Sequence, residues 1–264
     1  MSKILITSGC SFSECLVDPK HLMTWPKHLY ESLKPNGFRE HVSKAMGSQG
    51  NGLISRGIIY QTIKALETYR PEDILVGVMW SGSNRFDYRC ENPDLLSFGR
   101  NNTDGWIENP TSFVDGADKN WVIMNQGWEY EESKIYYKYF HSFIGDAIYS
   151  LEHILRTQLF LKSKGVKYFF TNFTDNNIVD YTSNTYTNHK EEVNYLYNEI
   201  DFDCYLPVTS EHRWVYDNSA TKEEFHKKHY YNDHWTAWVH PDTAQHKEFV
   251  DNVIYPWLLE KQYL

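Results

Sequence analysis

Cysteine, basic charge and long apolar runs are all in short supply in this chain. Of 264 residues only four are cysteine (Cys10, Cys15, Cys90, Cys204), and no two form a Cys-x-x-Cys pair. That spacing excludes a disulfide framework and reads as reduced thiols in an intracellular setting. Lys and Arg total 26 against 35 Asp and Glu, a formal net charge of -9. With no Lys/Arg run to offset it, an acidic surface repels phosphate backbones, so nucleic acid is not an expected partner. No apolar stretch approaches the length of a membrane span. The opening Met1-Ser2-Lys3-Ile4-Leu5-Ile6-Thr7 runs directly into a strand-like segment without a signal-peptide pattern. The expectation is a soluble, cytoplasmic protein with no membrane partner. No Gly-x-Gly-x-x-Gly or Walker pattern follows the first strand, which ranks a flavodoxin-like nucleotide-binding protein last among the functional classes. No internal repeat and no linker divides residues 1–264, so one domain is expected.

Aromatic residues, by contrast, are abundant at 16%, with 20 Tyr and 9 Trp. Tyr and Trp carry polar atoms that need partners, so part of this excess belongs in half-buried loop packing or along a ligand groove. The periodicity predicts strands over Lys3–Thr7, Glu40–Ala45, Ile74–Trp80 and Val166–Asn172. Helices are predicted over about Trp25–Leu33, Asn51–Tyr69, Ile135–Lys164 and Asp242–Leu259, with a short one at Glu191–Tyr197. The unbroken apolar run from Ile74 to Trp80 suits a central parallel strand covered on both faces. Alternation of these elements is the rhythm of an α/β fold with a doubly wound parallel sheet, three-layered and flavodoxin-like. Two polar stretches, about 85–134 and 174–235, lack a sustained period and read as long loop insertions.

In such a sheet, reactive groups collect beyond the carboxyl ends of the strands. Ser11 stands there, in Gly9-Cys10-Ser11-Phe12-Ser13, just past the first strand. A serine in this place can cap the following helix. With an adjacent base it can also act as a nucleophile, its own N–H helping to hold an oxyanion. The segment Ile4-Leu5-Ile6-Thr7-Ser8-Gly9-Cys10-Ser11-Phe12-Ser13 resembles the first block of the SGNH (GDSL-like) hydrolases, in which Gly-Asp-Ser often becomes Gly-Cys-Ser-Phe. Ala45-Met46-Gly47-Ser48-Gln49-Gly50-Asn51-Gly52 resembles the second block of that family. Gly47 is then the matching oxyanion-hole glycine, with Gly50 as the other register. Trp80-Ser81-Gly82-Ser83-Asn84 is similar to the third block, with Asn84 as the side-chain oxyanion donor and Ser81 or Ser83 as alternatives. Val239-His240-Pro241 matches the second half of the fourth block, which makes His240 the general base. The position three before His240 is Ala237 where the family has aspartate. Asp233 in the preceding loop, or a backbone carbonyl, is left to orient the imidazole.

The resemblance implies a serine esterase or acylhydrolase working through an acyl-Ser11 intermediate, without cofactor. The aromatic loops favour a carbohydrate ester, and hence O-deacetylation, over a long acyl chain. The Gly-Cys-Ser-Phe form is similar to that of phage-encoded members, which implies a viral or environmental origin. Ala237 and aromatic residues such as Trp106, Trp121, Trp128, Tyr130, Tyr136 and Tyr137 also fit another class, a catalytically silent scaffold that binds a carbohydrate or other ligand. A third arrangement, His226-x-x-His229 with His234 or Asp233, has the residue types of a zinc site. It matches no ligand pattern closely, and a solvated helix with surface histidines is the preferred reading. No metal is expected.

Overall fold

A computed structural model describes residues 2–14, 23–89, 121–125, 131–172, 190–206 and 243–264. The main sheet is parallel throughout, with strand order β2-β1-β3-β6. Its members are β1 (Lys3–Ser8), β2 (Phe38–Ser43), β3 (Ile74–Trp80) and β6 (Lys167–Asn172). From β1 the chain moves outward through α1 (Trp25–Leu33) to β2. It then crosses back through α2 (Asn51–Ala65) to β3 on the other side of β1. This reversal creates a topological switch point at the carboxyl ends of β1 and β3.

Alternate residues of each strand enter different cores, as the two-residue period requires. Ile4, Ile6, Val76, Val78, Trp80, Tyr168 and Phe170 face one layer, packed by Ile54 and Ile58 of α2 and by Ala147, Leu151 and Ile154. The latter three lie on a long helix. The other layer holds Leu5, Leu75, Met79 and Phe169 against Trp25, Leu29 and Leu33 of α1 and the C-terminal helical segments. All seven residues of β3 are buried, the signature of a central strand. Gly77 belongs to this strand because the Phe169 ring lies where a side chain would be: a Cβ would come within 2.5 Å of it. The architecture is thus a three-layer α/β fold with a parallel, flavodoxin-like sheet.

Several predicted boundaries shift. The second strand starts at Phe38, whose buried ring anchors it, and ends at Ser43. Helix α2 stops at Ala65, short of the predicted Tyr69, and its Ile63 is exposed. The stretch 85–134 is not wholly irregular: β4 (Arg85–Arg89) and β5 (Trp121–Asn125) pair antiparallel, and α3 (Glu131–Tyr139) follows. Cross-strand pairing stabilises these strands, which no local period announced. The single helix expected over Ile135–Lys164 is two, α3 and α4 (Phe143–Lys164), divided where Ser142 adopts extended backbone and accepts a hydrogen bond from the Gly145 N–H at 3.1 Å. Within the second insertion, α5 spans Lys190–Tyr197. The last helical stretch comprises α6 (Thr243–Phe249), a π-helical segment (Val250–Ile254) and α7 (Tyr255–Glu260). Among the described residues no helix is long and apolar enough to cross a membrane.

Candidate active site

The turn after β1 is set by close packing. A Cβ on Gly9 would fall 2.3 Å from Ser13 Oγ, so only glycine fits beneath that side chain. Ser13 is held in turn by the Trp25 indole, whose Nε1 donates to Ser13 Oγ at 2.8 Å, and by its own N–H to the Cys10 carbonyl at 2.9 Å. Cys10 and Phe12 point into the core, while Ser11 between them is half-buried. Two apolar anchors therefore flank the serine and turn it toward the rim.

The loop after β2 comes alongside because the β1–β2 pairing continues past the strands. Lys44 N–H donates to the Thr7 carbonyl at 2.8 Å and Met46 N–H to the Gly9 carbonyl at 3.2 Å. Gln49 Nε2 reinforces the join, donating to Ser8 Oγ at 3.4 Å and to the Lys44 carbonyl at 3.3 Å. Gly47 is carried to Ser11 as a result: a Cβ on Gly47 would lie 3.9 Å from Ser11 Cβ. Ser48 next to it takes a left-handed φ of 62°. The Gly47 N–H donates to Glu14 Oε2 at 3.0 Å. Burial raises the Glu14 carboxyl above its ordinary pKa, an effect the Gly47 hydrogen bond only partly opposes.

Gly50 has a different occupation. Its N–H donates to Asp87 Oδ1 at 2.9 Å, and the Leu53 N–H donates to Asp87 Oδ2 at 3.0 Å, so Asp87 caps α2 from β4. A Cβ on Gly50 would meet Asp87 Oδ2 at 2.6 Å and the Arg85 carbonyl at 2.7 Å. Burial lifts the Asp87 pKa to about 6 against the lowering effects of the Gly50 and Leu53 N–H groups and Arg85. Asn51 then ties the start of α2 to the end of β3. Its Nδ2 donates to the Ser81 carbonyl at 3.1 Å and to Ser150 Oγ at 3.0 Å, and its Oδ1 accepts from the Ser81 N–H at 2.8 Å.

The third block follows β3. Ser81 Oγ accepts from Arg85 Nη1 at 2.8 Å, which commits that hydroxyl to the loop. Asn84 is half-buried in the turn leading to β4, and its carbonyl accepts the Tyr137 hydroxyl. Because β2, β1 and β3 are neighbours in that order, Gly47, Ser11 and Asn84 follow three adjacent strand ends. His240, Asp233 and Ala237 lie outside the described residues, as do His226, His229 and His234. Thr243, the first residue of α6, accepts from the Met23 N–H at 3.2 Å, and Thr24 Oγ1 donates to the Glu14 carbonyl at 3.2 Å. The start of α6 is thereby linked to the Ser11 turn through residues 23–24. Among the described residues no group of three or more His, Cys, Asp and Glu side chains has a metal-binding arrangement.

Sequence reasoning passed over Glu14, Asn51 and Asp87. Only Asn51 carried a local signal, as a short polar residue opening a helix after glycine. The other two acquire their roles from loops distant in sequence.

The fold and site define a class: a parallel α/β protein with a serine-bearing turn beside a glycine-containing loop at the sheet's carboxyl edge. No family model and no curated protein sequence matches the chain. Among solved structures it is similar to TesA, with 13% identity over 99% of this chain and 100% of that one, at a TM-score of 0.44. It is also similar to a provisionally assigned acylhydrolase from Bacteroides fragilis, with 14% identity over 99% of this chain and 88% of the other, at a TM-score of 0.41. Protein YXIM of Bacillus subtilis is 12% identical over 65% of this chain, at a TM-score of 0.33, and the chain spans 33% of that protein's length. The fold assignment rests on the strand order and the two cores described above.

Proposed function

We propose that the protein is a serine esterase or acylhydrolase of the SGNH type, with Ser11 as nucleophile. The observation that carries this reading is the approach of Ser11 to Gly47 at the switch point of the sheet. In the proposed reaction His240 accepts the Ser11 Oγ proton as that oxygen attacks the ester carbonyl carbon. The N–H groups of Ser11 and Gly47, with the Asn84 side chain, receive the developing oxyanion. Collapse breaks the bond to the alkoxy oxygen, which leaves with the proton from His240. Water, deprotonated by the same imidazole, then hydrolyses the acyl-serine. Asp233 is proposed to orient His240 in place of the residue missing at Ala237.

The proposed substrate is a carbohydrate ester, and deacetylation the reaction. Supporting this, Tyr139, Phe140, Phe143 and Tyr149 are exposed on α3, α4 and the break between them, and aromatic rings can pack on sugars. The test is mass spectrometry after incubation with a serine-directed phosphonate. The expected result is one adduct on the natural protein, absent from Ser11→Ala and His240→Ala. A folded natural protein that takes no adduct transfers the weight to a silent scaffold that binds its ligand without hydrolysis.

A further inference from the structure

Glu14 stands three residues after the proposed nucleophile, and its carboxylate holds the N–H that an oxyanion would need. A single point one bond from Gly47 Cα lies 3.3 Å from Glu14 Oε2 and 3.9 Å from Ser11 Cβ. Gly47 is thus within contact distance of both residues, and its N–H is bound to the carboxylate oxygen at 3.0 Å. Chemically, a carboxylate oxygen on a backbone N–H imitates both the anionic oxygen of a tetrahedral intermediate and the oxygen of an acid product. The Glu14 backbone is tethered, since its carbonyl accepts from Thr24 Oγ1 at 3.2 Å. The side chain is therefore the part free to withdraw.

Resting on the serine-hydrolase reading above, we propose that Glu14 is the resident occupant of the oxyanion position in the free protein. An ester carbonyl has to displace its carboxylate from Gly47 before Ser11 reacts, which makes Glu14 a specificity-determining gate. Displacement is easy in one respect: burial costs the Glu14 carboxylate more hydration than the single Gly47 hydrogen bond restores. Leaving the donor for water recovers that hydration. The gate also carries a sign. A substrate with its own negative charge beside the scissile bond meets the displaced carboxylate and is disfavoured against a neutral one.

The experiment has two readouts on the full chain. In the first, the rate of Ser11 labelling by a neutral phosphonate is compared in the natural protein, Glu14→Gln and Glu14→Ala, with Ser11→Ala as the blank and thermal unfolding as the folding control. Glu14→Ala is expected to label about tenfold faster, equivalent to ~1.4 kcal/mol, and Glu14→Gln to fall between, because an amide oxygen is an uncharged competitor. In the second, [15N]glycine labelling gives at most fourteen amide signals, one per glycine, and Gly47→Ala identifies the Gly47 signal. That signal is expected to shift in both Glu14 variants. A Gly47 signal that stays in place in Glu14→Ala shows that the contact does not exist and overturns the proposal. A signal that moves while labelling is unchanged or slower overturns the gate but leaves the hydrolase reading standing. Labelling of Glu14→Ala alone supports both. Absence of labelling in every folded variant defeats the hydrolase reading, and the gate with it.

Discussion

Replacing Asp87 by asparagine tests how the second loop is held. The Asp87 carboxylate accepts from the Gly50 and Leu53 N–H groups at 2.9 and 3.0 Å, and burial raises its pKa from 3.8 to about 6. A carboxyl group with a folded pKa above its unfolded value binds a proton more readily in the folded state. Folded protein therefore holds more protons than unfolded protein between roughly pH 4 and 6. The Asp87 contribution to stability is consequently greatest below pH 4, falls as pH rises through this window, and is level above it. The span from 3.8 to about 6 corresponds to ~3 kcal/mol at 1.36 kcal/mol per pH unit. In Asp87→Asn the side chain does not titrate, and its amide can accept from only one of the two N–H groups, at a pH-independent cost of ~1 kcal/mol for a lost cap. Burial raises the Glu14 carboxyl, and it raises that of Asp146 despite the His141 partner, so both titrate in the same direction. The informative quantity is thus the difference between the natural protein and Asp87→Asn, which cancels their contributions. Urea unfolding at steps from pH 4 to pH 7 is the assay. The natural protein is expected to lose stability relative to the variant across the window, by up to ~3 kcal/mol. A stability difference that does not change with pH would refute the buried, doubly hydrogen-bonded carboxyl.

The two glycines of the second block should respond differently. Gly50→Ala drives a methyl onto Asp87 and the Arg85 carbonyl, with an expected loss of ~1–3 kcal/mol in chemical denaturation. Gly47→Ala meets only the flexible Glu14 carboxylate and Ser11 Cβ at 3.3 and 3.9 Å and should unfold within ~0.5 kcal/mol of the natural protein. Equal destabilisation of the two would contradict the loop geometry. Trp25→Phe removes the Nε1 donor to Ser13 Oγ and is expected to cost ~1–2 kcal/mol, with slower Ser11 labelling as the turn loosens. Labelling unchanged at reduced stability would separate the Trp25–Ser13 bond from the position of Ser11.

Much of the framework was legible along the chain because it depends on local periods. The seven-residue apolar run of β3 reads as a central strand, and it is buried throughout. Helix α1 emerges within the predicted range because Trp25, Leu29 and Leu33 repeat at helical spacing and enter one core. The parallel sheet follows from strands alternating with helices, which cannot be joined by tight hairpins. The placement of Ser11 after β1 and Gly47 after β2 was also written in order along the sequence. Their adjacency required the continuation of the β1–β2 pairing through Lys44–Thr7 and Met46–Gly9.

Other features needed the folded chain. Periodicity carried no trace of the antiparallel pair β4–β5, because such strands are selected by partners across the ladder. The division between α3 and α4 turned on the Ser142 cap, a local hydrogen bond from the Gly145 N–H that an apolar period does not register. The distinct roles of Gly47 and Gly50 could not be told apart in a segment that admits two registers. They separate because one N–H meets Glu14, thirty-three positions before it, and the other meets Asp87, thirty-seven positions on. The sequence by itself thus determined the four strands of the main sheet, the helices that alternate with them, and their order. The tertiary structure decided which carboxylate each backbone N–H meets, since a hydrogen bond is set by a few tenths of an ångström between residues that only folding brings together.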